Sequence, residues 1–369
     1  MADTSTMSCF RMATFIAISI PLFTSIPSSA QSALQYNDSD NPVQLTCTML
    51  WDPNSPDLED WQYFGRNVPG LIACESGELL IADRQNTRVI HFKTSGELIQ
   101  VIGCEGEGPG EFREITGIAY DKTSKKLWIM QNRDAQLSIF RRTDSGFEFD
   151  SCKISMNFAS STLALEDSAT FWTKVNYRTQ RINDPAYADL IHLLDACGNR
   201  FRSFGSYWLD YGSEIQNDFQ ANRGMVVSTG QGLVAFVWEY RPRIEVWKSN
   251  GEMLVHREFE TGDVARNQVR RVHPDFGEVT SAFFDDATCC NETGLLFIGF
   301  GVSGMMRYDI YGLDPETLSI EEWYQFHLPG EPLLAVDYMV PSMENGQRLF
   351  YCLEGMTSGV MILRAEDRN

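Results

Sequence analysis

Short apolar runs separated by polar turns dominate the chain from residue 43 onward. The clearest stretch reads Leu71–Cys74, a Ser76-Gly77 turn, Leu79–Asp83, a polar turn over Arg84–Thr87, Arg88–Phe92, a Ser95-Gly96 turn, and Leu98–Ile102. Apolar runs this short, punctuated by Gly-containing turns, predict strands of an antiparallel meander. The pattern returns at Ile115–Tyr120, Leu127–Met130, Gln136–Phe140 and Phe147–Ile154. A third copy takes in Thr162–Leu165, Ala169–Lys174, Leu190–Asp195 and Arg200–Phe204, with a long insertion at Tyr177–Ala188. A fourth runs through Gly224–Ser228, Gly232–Trp238, Arg243–Trp247 and Met253–Phe259. The fifth holds Ser281–Phe284, Leu295–Phe300, Met306–Leu313 and Ile320–Phe326.

The sixth copy offers only Leu333–Tyr338, Arg348–Leu353 and Val360–Arg364 before the sequence stops. A strand-like segment at Val43–Trp51 precedes the first copy and can supply the missing member. Pairing it into the last copy leaves no exposed sheet edge. Repeats of four short strands, closed in this way, predict an all-β chain: a six-bladed β-propeller of four-stranded antiparallel blades. No predicted helix interrupts the series, which argues against a parallel α/β sheet. The propeller is expected over residues 42–369, after a polar leader at 31–41.

Residues 1–30 read differently. Arg11 is followed by an apolar run from Met12 to Phe23 and then by Thr24-Ser25-Ile26-Pro27-Ser28-Ser29-Ala30. A weakly basic start, an apolar middle and a small-residue end form the pattern of a secretory signal peptide. The run is short for a membrane span, which needs about 20 apolar residues. Secretion or a periplasmic location is therefore expected, with Gln31 as the mature start and no membrane span after it. The formal charge of −20 gives no basic field to steer toward phosphates and argues against nucleic acid partners. Of nine cysteines, eight lie after the signal segment, scattered and without a CxxC pair, so buried small hydrophobes with one or two bridges are expected rather than zinc. Asn37 and Asn291 begin glycosylation sequons.

Two stretches carry a resemblance. Leu80-Ile81-Ala82-Asp83-Arg84-Gln85-Asn86-Thr87-Arg88-Val89 resembles the NHL-repeat signature, a strand ending in Asp followed by Asn-x-Arg and a second strand. Gly103-Cys104-Glu105-Gly106-Glu107-Gly108-Pro109-Gly110-Glu111-Phe112 is similar to the Gly-rich connector between NHL blades, in the form seen in bacterial exported six-bladed propellers. The second copy keeps an echo at Gln131-Asn132-Arg133-Asp134, and the later copies match in strand spacing alone. The connector lacks the Lys-Ser/Thr end of a phosphate-binding loop, so its glycines are expected to serve positive φ angles at a tight crossing.

Ligands of propellers meet loops around the central channel, where rigid strands position variable segments. On that face the sequence places Arg84, Arg133, Tyr177, Arg178, Arg181, Trp238, Tyr240 and Arg241 as ligand-binding candidates. Guanidinium groups grip carboxylates bidentately and aromatic rings stack on sugars. The leading expectation is a non-enzymatic protein that binds a ligand or a protein partner, such as an acidic glycan or a carboxylate-bearing peptide, without a cofactor. One alternative is a metal-dependent lactonase, hydrolase or lyase at the channel mouth, with calcium as its ion. Another is a structural module of an envelope assembly. For the enzyme, Glu75, Asp121, Asp167, Asp285, Asp286 and Asp337 are the candidate acids, each expected just after an innermost strand, where Asp also serves ordinary turn chemistry. The five histidines show no ligand spacing, and His91 and His192 fall in third strands, away from the axis.

Overall fold

Alternation of apolar and polar positions turns into strands throughout the described residues. The computed structural model describes residues 42–51, 58–64, 68–75, 77–131, 136–154, 163–174, 189–195, 197–206, 223–230, 232–239, 242–259, 271–273, 277–279, 284–302, 307–327, 336–344, 346–354 and 359–365. The expected signal peptide and leader, the Tyr177–Ala188 insertion and the echo at Asn132-Arg133-Asp134 lie outside the described residues.

Strand β1 (Val43–Trp51) precedes blade 1, which is built of β2 (Gly70–Ala73), β3 (Glu78–Asp83), β4 (Arg88–Lys93) and β5 (Leu98–Ile102). Blade 2 comprises β6 (Ile115–Asp121), β7 (Lys126–Gln131), β8 (Gln136–Thr143) and β9 (Gly146–Ile154). Blade 3 has β10 (Ala164–Leu165), β11 (Thr170–Lys174), β12 (Asp189–Asp195) and β13 (Arg200–Ser206). Blade 4 has β14 (Gly224–Ser228), β15 (Leu233–Trp238), β16 (Arg243–Lys248) and β17 (Met253–Glu258). A separate hairpin, β18 (Arg271–His273) with β19 (Gly277–Val279), follows it. Blade 5 comprises β20 (Asp286–Cys289), β21 (Leu296–Val302), β22 (Arg307–Leu313) and β23 (Ile320–His327), and blade 6 starts with β24 (Val336–Glu344), β25 (Gln347–Glu354) and β26 (Val360–Ala365).

Within each blade, neighbouring strands pair antiparallel in chain order. β1 completes blade 6 by pairing antiparallel with β26, from Leu45↔Ala365 to Trp51↔Val360. Its other edge pairs in parallel with β23 of blade 5 through Val43↔Tyr324 to Leu45↔Phe326. Blades 5 and 6 thereby become one eight-stranded sheet, a bridge that the expected closure did not include.

Second strands are the most buried, and all six residues of β15 are inaccessible. The core is divided among the gaps between consecutive blades. Leu79, Ile81 and Phe92 of blade 1 pack on Tyr351, Leu353 and Ile362 of blade 6, with Trp51 at the seam. Similar apolar clusters join blades 1 and 2, 2 and 3, 3 and 4, and 5 and 6. Cys74, Cys290 and Cys352 are buried free thiols that belong to this packing. Among the described residues, no helix is long and apolar enough to cross a membrane.

The two recognisable stretches have local structural work. Asp83 is buried, and its carboxylate accepts from Asn86 Nδ2 (2.7 Å) and Arg88 Nε (3.1 Å). Arg88 also donates to the Tyr63 carbonyl (2.9 Å), so the signature ties its turn to the segment before blade 1. In the connector, Gly103 and Gly110 take φ of +75° and +81°, as the crossing requires, while Phe112 plugs the gap between blades 1 and 2. A Cβ on Gly103 would stand 2.1 Å from the Phe112 ring.

Inner strands depart most from expectation. The described inner strand of the fifth blade is Asp286–Cys289 and that of the sixth Val336–Glu344, while residues 281–283 and 333–335 of the expected strands lie outside the described residues. Inner strands face the channel, so apolar character marks them poorly; β24 even accommodates Pro341 on its unpaired edge.

Two stability outcomes are expected. Leu45→Ala, in the closing strand, costs about 2–5 kcal/mol in urea unfolding, whereas Met49→Ala, at an exposed position of β1, stays within about 0.5 kcal/mol. Equal effects would show that β1 contributes no packing. Gly103→Ala costs about 1–3 kcal/mol because the left-handed backbone and the Phe112 contact both oppose a methyl group.

Candidate functional site

The six inner strands surround a central cavity of about 1180 Å³. Because strands run antiparallel, the start of each inner strand lies at the same end as the finish of its second strand, as in Gly224↔Trp238 and Asp286↔Gly299. One mouth of the channel is therefore framed by Arg223 before β14, Glu239 after β15, Lys174 at the end of β11, Asp285 and Asp286 at the start of β20, and Asp337 in β24. Six charged side chains from four blades converge on one cavity.

Their environments differ. Lys174 is buried, and burial pulls its ammonium down to about 7, opposed by Glu239 and reinforced by Arg223. Arg223 is paired with Glu239 at 2.8 Å. Asp286 is buried, and burial pushes its carboxyl up to about 7. Backbone N–H groups of Met339 (2.5 Å) and Ala287 oppose that rise, and Asp285 and Asp337 reinforce it. Burial raises Asp337 as well. Tyr338 joins the two halves: after burial, the charges that act on its phenol are Asp286, Asp337, Glu239 and Arg223. Below the aspartates, the Tyr308 hydroxyl is buried without a hydrogen-bond partner among the described residues, beneath Gly299. Tyr308 shares with Asp286 the face of blade 5 that packs on blade 6. Perturbed titrating groups gathered in one concavity mark a functional-site candidate.

Sequence-based candidates separate into three groups. Arg133, Tyr177, Arg178, Arg181, Tyr240 and Arg241 lie outside the described residues. Arg84 is described and forms an ion pair with Glu114. Trp238 is 2% exposed and packs edge-on against Phe236 between blades 3 and 4, so it is core and not a presented ring. Strand alternation gives the cavity to its neighbour Glu239 instead.

The candidate acids also divide. Glu75 and Asp167 follow their inner strands and Asp121 ends its own, all at the hairpin end; Asp121 and Asp167 accept from N–H groups of their own turns. Asp285, Asp286 and Asp337, expected in the same place, sit at the opposite mouth because Asp286 opens β20 and Asp337 follows the first residue of β24. Lys174 escaped sequence reasoning because a strand-end lysine looks like any solvated charge. The described residues with metal-ligand geometry are Cys74, Glu78 and His91 in blade 1, apart from this mouth.

Comparison with known proteins agrees with the architecture. A protein of Bacteroides fragilis NCTC 9343, provisionally designated as exported, has a solved structure that superposes with a TM-score of 0.51 at 13% identity, over 89% of this chain and 97% of that one. A streptogramin B lyase structure aligns with a TM-score of 0.48 at 11% identity, over 87% of this chain and 98% of that one. An identity of 13% speaks to fold alone, and the weaker likeness to the lyase carries no argument. No curated protein matches the chain. The family described as a 6-bladed beta-propeller, DUF5128, matches residues 67–263, from before β2 to beyond β17. That match spans more than half of the 369 residues, and the chain belongs to this six-bladed propeller family.

Proposed function

We propose that the chain is an exported binding protein that takes a small zwitterionic ligand, such as a short peptide with free ends, at the Lys174–Asp286 mouth of its channel. The observation that carries this reading is the division of charge there. Lys174 and the Arg223–Glu239 pair come from blades 3 and 4, and Asp285, Asp286 and Asp337 come from blades 5 and 6. A ligand carboxylate meets Lys174 and its ammonium meets the aspartates. Charge-assisted hydrogen bonds in a partly desolvated cavity are strong and directional. Tyr177, Arg178 and Arg181 follow Lys174 in the sequence, and Tyr240 and Arg241 follow Glu239, so they are further candidates for ligand contact. The signal-like residues 1–30 support export.

The described arginines do not favour a broad acidic-glycan face. Arg84, Arg88, Arg223 and Arg243 each hold a carboxylate of the protein itself.

Calorimetric titration with short free-ended peptides, and with the same peptides acetylated and amidated, tests the proposal. Binding is expected for the free-ended set alone, weakened at least about tenfold, or 1.4 kcal/mol, by Lys174→Met or Asp286→Asn. Rising pH discharges Lys174 and charges Asp286, both through about 7, so affinity peaks near neutrality and falls on either side. Affinity that ignores pH and both substitutions would sink the proposal.

Asp286→Asn carries a second signature. The folded pKa is raised above an unfolded value of about 3.9, so the native protein holds an extra proton in between and loses stability as pH rises through that window. The variant therefore melts higher than the parent, by a margin that grows from about pH 4 to about pH 7 and then levels off. A margin independent of pH would show that Asp286 titrates normally.

A further inference from the structure

At the hairpin end of blade 1, where it meets blade 2, three donors of different chemistry converge. The Cys74 N–H donates to the Glu78 carbonyl (3.1 Å), closing the β2–β3 turn. Glu78 and Leu80 lie on one face of β3, and Leu80 pairs with His91, which brings His91 to the same side. His91 Nε2 stands 2.8 Å from Glu78 Oε2 and 3.7 Å from Cys74 Sγ; Cys74 Sγ stands 3.6 Å from Glu78 Oε2. One ring nitrogen thus faces both partners.

We propose that Cys74, Glu78 and His91 bind one zinc-class divalent cation. Tetrahedral angles with Zn–S near 2.3 Å and Zn–N and Zn–O near 2.1 Å place the donors about 3.4–3.6 Å apart. Both edges from sulfur already have that length. The nitrogen–oxygen edge opens by about 0.6 Å when the ion replaces the hydrogen bond. Calcium and magnesium are excluded by the donor set, since they require several oxygens and here there is one carboxylate.

The surroundings suit ligands held for a metal. Arg142 of blade 2 donates to Glu78 Oε1 (2.9 Å), the oxygen outside the triangle, and stands 3.3 Å from His91 Nδ1. The bond to Glu78 orients that ligand, whereas Arg142 Nη1, 3.3 and 3.4 Å from the two His91 ring nitrogens, gives way when Nε2 takes the ion and Nδ1 keeps the proton. His91 also packs edge-on against Phe147, at 5.2 Å between ring centroids. Cys74 and His91 are fully buried, whereas the Glu78 side chain keeps 18% exposure and borders the central cavity, so the ion enters past Glu78.

The test is titration of the purified, chelator-stripped and reduced chain with Co²⁺. We expect one Co²⁺ per chain, the near-ultraviolet thiolate-to-cobalt band, the visible bands of four-coordinate cobalt, and bleaching by Zn²⁺. Cys74→Ser removes the thiolate band, Glu78→Gln weakens binding at least about tenfold, and Cys104→Ser, at an exposed cysteine, changes neither. Absence of the band in the parent, or its persistence in Cys74→Ser, overturns the site. It would then be a closed network in which Arg142 alone balances Glu78. Should Cys74→Ser lose its near-ultraviolet dichroism, Glu78→Gln decides: unchanged Co²⁺ affinity overturns the proposal. Asp286→Asn leaves this titration unaltered, so the outcome is independent of the channel-mouth ligand.

Discussion

A ring of sheets is stable only if its first and last members meet, and here one strand carries that requirement. β1 gives one edge to β26 and part of the other to β23. The apolar clusters on both sides of blade 6 draw on it: Leu45 enters one and Trp51 the other. Without β1, β26 and β23 would each present open backbone to solvent, and the seam to blade 1 would lose its aromatic plug. Each remaining gap between blades is a local contact, whereas the seam joins residues 318 positions apart.

Closure also creates the channel and sets its chemistry. Inner strands have one face on a neighbouring blade and one edge on the cavity, so they tolerate polar residues that second strands exclude. Asp286 combines both conditions, with its side chain reaching a backbone N–H in blade 6 while its charge is opposed by burial and by two other aspartates. A group held in this way is maintained against its own stability. Such positions are usually kept for recognition or chemistry.

Blade 1 was readable almost residue by residue, because its strands alternate cleanly and its turns carry Gly, Asn and Asp at the demanded positions. Later inner strands were not. Asp286–Cys289 carries little apolar character yet forms β20, since a channel-facing strand does not need apolar side chains. With Asp286 opening β20 and Asp337 near the start of β24, three candidate aspartates lie at the other end of the channel. Trp238 misled for the converse reason: an aromatic residue beside a loop looks presented until strand alternation is followed one residue further, to Glu239. The Cys74–Glu78–His91 group follows no linear ligand spacing; it becomes visible only when the β2–β3 turn and the β3–β4 register are applied together.

The pairing of β1 has a consequence for the newborn chain. The ribosome delivers β1 before any blade and β26 after nearly all of them. Blades 1 to 5 can assemble in order on local contacts, but β1 must wait, its backbone unsatisfied, until its antiparallel partner emerges. Loop closure over that span is slow, and an unpaired strand invites the wrong neighbour. Between the arrival of the two strands, the edge of β1 is thus open to mispairing.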